Sequence, residues 1–158
     1  MRFSTIQDVK EAGFQGFVAV KDLQCPSARK VFPDVPGVYV VLRMATTEPR
    51  FLPVGTSFRK VMVKPYAVER LQRKWARVRG SPVVYIGKSE SLRRRLNLYL
   101  GLRRNHSGGR AIWQFSDAAD LLVCWTPTSK ADPRAIEKQL LGDFFAAYSS
   151  LPFANWAL

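Results

Sequence analysis

The sequence predicts an α+β domain in which helices cover a small sheet. Three observations carry this. Residues 37–42 (GVYVVL) and 83–86 (VVYI) are short β-branched and aromatic runs bounded by glycine and proline, the pattern of buried strands. Residues 132–148 show the periodicity of an amphipathic helix, introduced by Asp132-Pro133, a capping residue followed by a proline at the first helical position. The 158 residues are 47% hydrophobic, with four Trp and ten Phe, enough for one domain with a real core.

The elements follow in order. Residues 4–12 read as a short helix capped by Ser4 or Thr5 and ended by Gly13. Residues 17–20 are a candidate short strand, followed by the proline-punctuated loop CPSARKVFPDVPG. The strand 37–42 comes next. Residues 43–57 read as loop, with a further candidate strand near Phe51. Residues 66–79 form an amphipathic helix with Val68, Leu71, Trp75 and Val78 on one side and Arg70, Arg73, Lys74, Arg77 and Arg79 largely elsewhere. Gly80-Ser81-Pro82 stops it before the strand 83–86. Residues 92–100 are a helix ended by Gly101, residues 105–110 a glycine-containing basic loop, residues 121–126 a third strand, and residues 132–148 the last helix. The order is α-β-(basic helix)-β-α-β-α.

Charge points to the partner class. Twenty-five Lys and Arg face twelve Asp and Glu, a net charge of +13. A folded domain this basic suits a polyanion, nucleic acid first and an anionic membrane surface second. No apolar run is long enough to span a bilayer. The first residues carry early acids and no apolar signal core, so a cytoplasmic location is expected. Cys25 and Cys124 are too few and too distant for a zinc site or a disulfide framework, and read as reduced thiols.

Several side chains stand out from the structural pattern. In the helix 92–100, Leu92, Leu96 and Leu100 make one face, and Arg95 and Tyr99, four apart, flank it together. Arg93 and Arg94 turn towards water. Arg95 is thus placed either along a groove beside the sheet or in a partly buried ion pair. In the last helix Glu137 falls within the apolar face of Ile136, Leu140, Leu141, Phe144 and Tyr148. A carboxylate there must be paired, protonated or bound to a cation. It is either a salt bridge, with Arg95 as a partner, or a ligand to a hard cation such as Mg²⁺, which needs only one or two protein carboxylates. Tyr39 and Tyr85 lie in the strands 37–42 and 83–86, where an aromatic residue is by default part of the core. Lys88 follows Gly87 at a strand end, where it meets a phosphate or solvent. The run PVVYIGKS lacks the upstream glycine of GxxxxGK[ST], which excludes a P-loop NTPase. No serine lies in a nucleophile elbow. His106, the single histidine, neighbours Gly108, Gly109 and Arg110, which could approach a backbone phosphate.

Gly37-Val38-Tyr39 followed by Tyr85-Ile86-Gly87 resembles the signature of the GIY-YIG nuclease superfamily. The segment YIGKSESLRRRLNLYL is most similar to the N-terminal incision domain of the bacterial nucleotide-excision-repair nuclease. The resemblance spans residues 35–155. It places the family's arginine on Arg95, its metal-binding glutamate on Glu137 and its late asparagine on Asn155. It implies a small central, mostly antiparallel three-stranded sheet flanked by helices. The whole chain, 1–158, is then one nuclease domain, with residues 1–34 as an N-terminal extension. The family usually joins its motif strands by a short hairpin. Here residues 43–82 intervene as a basic helical insertion, and some restriction enzymes of the family also carry insertions. Tyr99 stands where some members have histidine, which leaves His106 to DNA contact or support.

The resemblance further implies a metal-dependent DNA endonuclease. Glu137 would hold one Mg²⁺, with Mn²⁺ as a substitute. Arg95 would bind phosphate oxygens, and Tyr39 would take the proton of the attacking water, its phenolate favoured by Lys88 and the metal. Tyr85 and Tyr99 would orient water or phosphate, and Asn155 would position the tail. Arg70, Arg73, Arg77, Arg79, His106 and Arg110 are the expected DNA contacts. Cutting both strands with one site per chain would call for a homodimer or sequential nicking. Restriction, repair and mobile-element roles all stay open. A non-catalytic nucleic-acid-binding module on the same fold is the alternative, and a basic interaction protein without nucleic acid a third.

Overall fold

The computed structural model describes residues 1–58, 60–102 and 108–157. Helix α1 (Ile6–Glu11) is closed by a reciprocal capping box between Thr5 and Asp8. Strand β1 (Gln15–Ala19) and strand β2 (Gly37–Leu42) follow, separated by two 3₁₀ turns. The insertion holds a two-stranded hairpin, β3 (Thr56–Ser57) and β4 (Lys60–Val61), and helix α2 (Val68–Ala76). Strand β5 (Val83–Ser89), helix α3 (Leu92–Leu100), strand β6 (Leu122–Pro127) and helix α4 (Pro133–Tyr148) complete the chain.

The main sheet is antiparallel with the order β1-β6-β2-β5. It has four strands, not the expected three. The extra strand is β1, and its pattern explains why it was faint. Phe17 adopts a left-handed φ of 56° at a bulge between Gly16 and Val18, so the alternation of inward and outward residues breaks there. Gly16 is required beside it. A Cβ at that position would lie 2.1 Å from the Trp125 ring of β6.

All six residues of β2 are buried, as a strand between two neighbours and covered on both faces should be. The hydrophobic core runs through β2, β5 and β6, the apolar faces of α3 and α4, and Phe51, Trp113, Phe115 and Phe153. Phe51 forms only an isolated bridge with Phe115 rather than a strand.

The insertion leaves and rejoins the sheet at one point. The Arg43 N–H donates to the Pro82 carbonyl at 2.8 Å, which continues the β2–β5 ladder across the gap. The Arg43 side chain is itself buried, paired with Asp117 at 2.9 Å and lying over the Trp75 and Phe115 rings. Leu71, Trp75 and Val78 turn into the core, as the periodicity of α2 predicts. Gln114, fully buried, donates to the Leu52 and Tyr66 carbonyls and accepts from the Tyr66 N–H. It thereby ties the insertion to the domain. Among the described residues, no helix is long and apolar enough to cross a membrane.

Candidate active site

The register of β2 and β5 brings the two motif tyrosines together. Tyr39 stands opposite Gly87, and Tyr85 opposite Val41. Residues two apart on a strand share a face, so Tyr39 and Tyr85 are diagonal neighbours. Their rings meet edge to face, with centroids 5.8 Å apart. Gly87 leaves the space that the Tyr39 ring occupies. A Cβ on Gly87 would lie 2.6 Å from Tyr39 Cζ.

Helix α3 supplies the rest. Ser91 caps it, accepting from the Arg94 N–H and donating to Asp34. Leu92, Leu96 and Leu100 are buried against the sheet, which turns Arg95 and Tyr99 towards the tyrosines. The Arg95 Nε donates to the Tyr39 hydroxyl at 3.3 Å. Tyr99 is packed 5.9 Å from Tyr39 and 5.5 Å from Tyr85, and its hydroxyl donates to the Gly109 carbonyl at 3.0 Å. The expectation that Arg93 and Arg94 face water holds, although Arg93 also donates to the Phe32 carbonyl.

Glu137, on α4, is half-buried and forms neither an ion pair nor a hydrogen bond among the described residues. The salt bridge to Arg95 is therefore not made. Burial pushes the Glu137 carboxyl above its ordinary value, opposed by the nearby charges of Lys88, Arg95 and Arg134. Lys88 has no ion pair among the described residues either. The site thus presents a desolvated carboxylate beside uncompensated cations.

The tyrosines are more constrained than expected. Burial pushes Tyr39 well above the usual phenol value, Tyr85 adds to the rise, and Arg95 opposes it. The cation at the Tyr39 oxygen is Arg95, not Lys88, because Lys88 lies at the outer end of β5 opposite Val38. Burial also raises Tyr85, but both Arg95 and a hydrogen bond from Tyr39 favour its phenolate. Tyr39 is 0% exposed and Tyr85 4%, so Tyr85 is the outer member of the pair. Burial raises Tyr99 strongly as well.

Asn155 acts from the tail. Its carboxamide accepts from the Ile86 N–H at 3.0 Å and donates to the Ile86 carbonyl at 2.9 Å. Together with the Ala154 N–H on the Val84 carbonyl, it extends the exposed edge of β5 beside Tyr85. Asn155 thus ties the tail to the backbone of β5.

The expected DNA contacts separate into groups. Arg73 and Arg77 are exposed and unpaired among the described residues. Arg79 is exposed but paired with Glu48 at 2.9 Å. Arg70 stacks on Trp156 at 4.3 Å, and Trp156 stacks on Tyr66 at 4.9 Å. Arg110 donates to the Val63 and Lys64 carbonyls and so holds the insertion rather than facing outward. His106 lies outside the described residues.

Gly108 and Gly109 have a role that the sequence reading missed. A Cβ on Gly108 would lie 2.7 Å from the Tyr85 hydroxyl, and one on Gly109 2.8 Å from the Tyr99 hydroxyl. The glycine pair was visible in the sequence, but not that its neighbours were tyrosines.

A divalent cation can be judged against this donor set. No group of three or more His, Cys, Asp or Glu side chains converges among the described residues. A lone, desolvated, unpaired carboxylate fits a hard cation that takes its other ligands from water and phosphate. No protein-family model, no curated protein and no solved structure matches the chain.

Proposed function

We propose that the protein is a metal-dependent endonuclease that hydrolyses phosphodiester bonds in DNA, on a site resembling that of the GIY-YIG nucleases. One observation carries this reading. A half-buried Glu137 feels the charges of Lys88 and Arg95 but pairs with neither among the described residues, while Arg95 reaches into a cluster of three tyrosines. A purely structural carboxylate would have taken one of those cations as its partner.

Glu137 would hold Mg²⁺ or Mn²⁺, which when bound supplies charge stabilisation at the scissile phosphate and a more acidic water. Arg95 binds the non-bridging oxygens and, through Tyr39, is held at a fixed angle. Lys88 adds a second positive charge from the outer end of β5. Tyr85, the less enclosed of the two strand tyrosines, is placed to take the proton of the attacking water; burial and Glu137 raise its phenol, and the charge of Arg95 and the hydrogen bond from Tyr39 offset part of that rise. Tyr39 is a positioning residue, enclosed beneath it. Tyr99 and Asn155 fix the cluster through Gly109 and Ile86.

The test is cleavage of supercoiled plasmid with Mg²⁺, Mn²⁺ or EDTA. Nicking or linearisation that EDTA abolishes supports the reading. DNA binding without cleavage in either metal would move the protein to a binding module. The Tyr85→Phe variant should lose about 10²-fold or more in rate, the usual scale for a positioned proton acceptor.

A further inference from the structure

A cavity of about 960 Å³ lies on the far side of α3 from the tyrosine cluster. Asn97 and Leu98 line it, and at about 100° per residue Asn97 points roughly opposite to Arg95. Its other walls come from the segment 21–26, from Arg29, and from Ser57, Phe58 and Lys60 of the insertion.

Two features of this cavity stand out. The first is charge. Lys21, Arg29 and Lys60 line it against one acid, Asp22. Lys21 is paired with Asp120 outside the cavity. Arg29 and Lys60 form no ion pair among the described residues. Arg29 is half-buried, and its guanidinium is fixed by donating to the Leu23 and Gln24 carbonyls at 2.8 and 3.3 Å. Burial works against its charge, yet no carboxylate compensates it. The second is Phe58. Its φ of 54° is the left-handed conformation, where a bulky residue is out of place and Asn or Gly would be at ease. The Phe58 ring lies under the Arg29 guanidinium at 4.9 Å. Together they form a flat cationic wall.

We propose that this cavity binds one nucleotide, its base stacked on the wall of Phe58 and Arg29 and its phosphate on Arg29 and Lys60. The proposal rests on the nucleic-acid reading above and adds a second binding point to it. Base–aromatic stacking accepts any base, so the site tolerates sequence and selects an unpaired nucleotide. The nucleotide comes either from the bound strand or from free mononucleotide.

Cys25 reports on the site. It lines the cavity and is exposed, whereas Cys124 is buried. A hydrogen bond with Ser27 lowers the Cys25 thiol, which favours alkylation. The experiment follows iodoacetamide labelling of Cys25 by mass spectrometry, with dTMP, a short oligothymidylate or inorganic phosphate added. A nucleotide at ten times its Kd should slow labelling about tenfold. Protection by the oligonucleotide alone assigns the site to the bound strand, and protection by dTMP alone to a free nucleotide. Phe58→Asn relieves the backbone conformation, which offsets the ring packing it gives up, so it should fold with a Tm close to wild type and still lose protection. Three results would overturn the proposal: no protection by either nucleotide, equal protection by inorganic phosphate, or full protection in Phe58→Asn. Glu137→Ala leaves labelling and protection unchanged, so a failure of cleavage and a failure of this site are separate results.

Discussion

The chemistry of single residues decides what the site can do, and Glu137 is the sharpest case. Burial holds its carboxyl above the ordinary value. The folded state therefore binds its proton more tightly than the unfolded state, and ionisation costs stability. That cost is absent below the unfolded carboxyl value of about 4.3 and complete above the raised folded value. Glu137→Gln should accordingly raise the Tm in EDTA at pH 7, with the gain vanishing as the pH falls below about 4. Mg²⁺ at ten times its Kd should stabilise the wild type by about 1.4 kcal/mol and leave the variant unmoved. Thermal scans at the two pH values, with and without the ion, check both statements. A variant less stable than wild type in EDTA at pH 7 would show that Glu137 has a partner in the fold. Gly87 makes the complementary point. Gly87→Ala would drive a Cβ into the Tyr39 ring, at a cost of about 1–3 kcal/mol, and should lower activity beyond its effect on folding. Urea unfolding and a cleavage rate measured well below the Tm separate the two effects.

The elements explain which residues could be read from the sequence and which could not. Strands β2, β5 and β6 were legible as short β-branched and aromatic runs, and helices α2, α3 and α4 from a helical apolar period over nine or more residues. Strand β1 was faint because of its bulge at Phe17, and the β3–β4 hairpin because each strand has two residues. Helical spacing put Arg95 and Tyr99 on one side of α3, whereas the grouping of Tyr39 and Tyr85 with Arg95 came from the resemblance, because the register that pairs Tyr39 with Gly87 is a long-range property. The anchoring by Gln114 and the Gly108-Gly109 approach were not, because each depends on partners distant in sequence that no local pattern reports. The resemblance singled out Asn155, but no local pattern could show that it caps the edge of β5. Asn155→Ala leaves the Ile86 N–H and carbonyl unpaired and should cost about 2 kcal/mol or more. It should also expose the Ile86 amide to hydrogen exchange ahead of the rest of β5. An unchanged stability would mean that water replaces the clamp at no cost. For α2, replacing Arg73 and Arg77 by Gln should make the salt dependence of DNA binding shallower by about 1.8 in log K against log salt, if each contacts one phosphate. Neutralising Arg79, already paired with Glu48, should change it less.

At the scale of the whole molecule, a net charge of +13 surrounds a sheet whose two motif strands are joined through a 40-residue excursion that returns to its starting point. The excursion does not disturb the tyrosine cluster, because the Arg43–Pro82 backbone bond closes it at the base. Its own contribution lies elsewhere. It carries α2 with its unpaired arginines, the hairpin with Phe58, and Tyr66 stacked on Trp156 of the tail. The proposed catalytic residues and the basic surface are thus built on different parts of one chain, so cleavage and binding should separate on mutation. The most direct test measures both together in wild type and Glu137→Ala: plasmid cleavage in Mg²⁺ beside DNA affinity at the same salt. The account predicts that the variant binds DNA with wild-type affinity in EDTA and does not cleave in Mg²⁺. Metal-dependent cleavage by Glu137→Ala at the wild-type rate would contradict it.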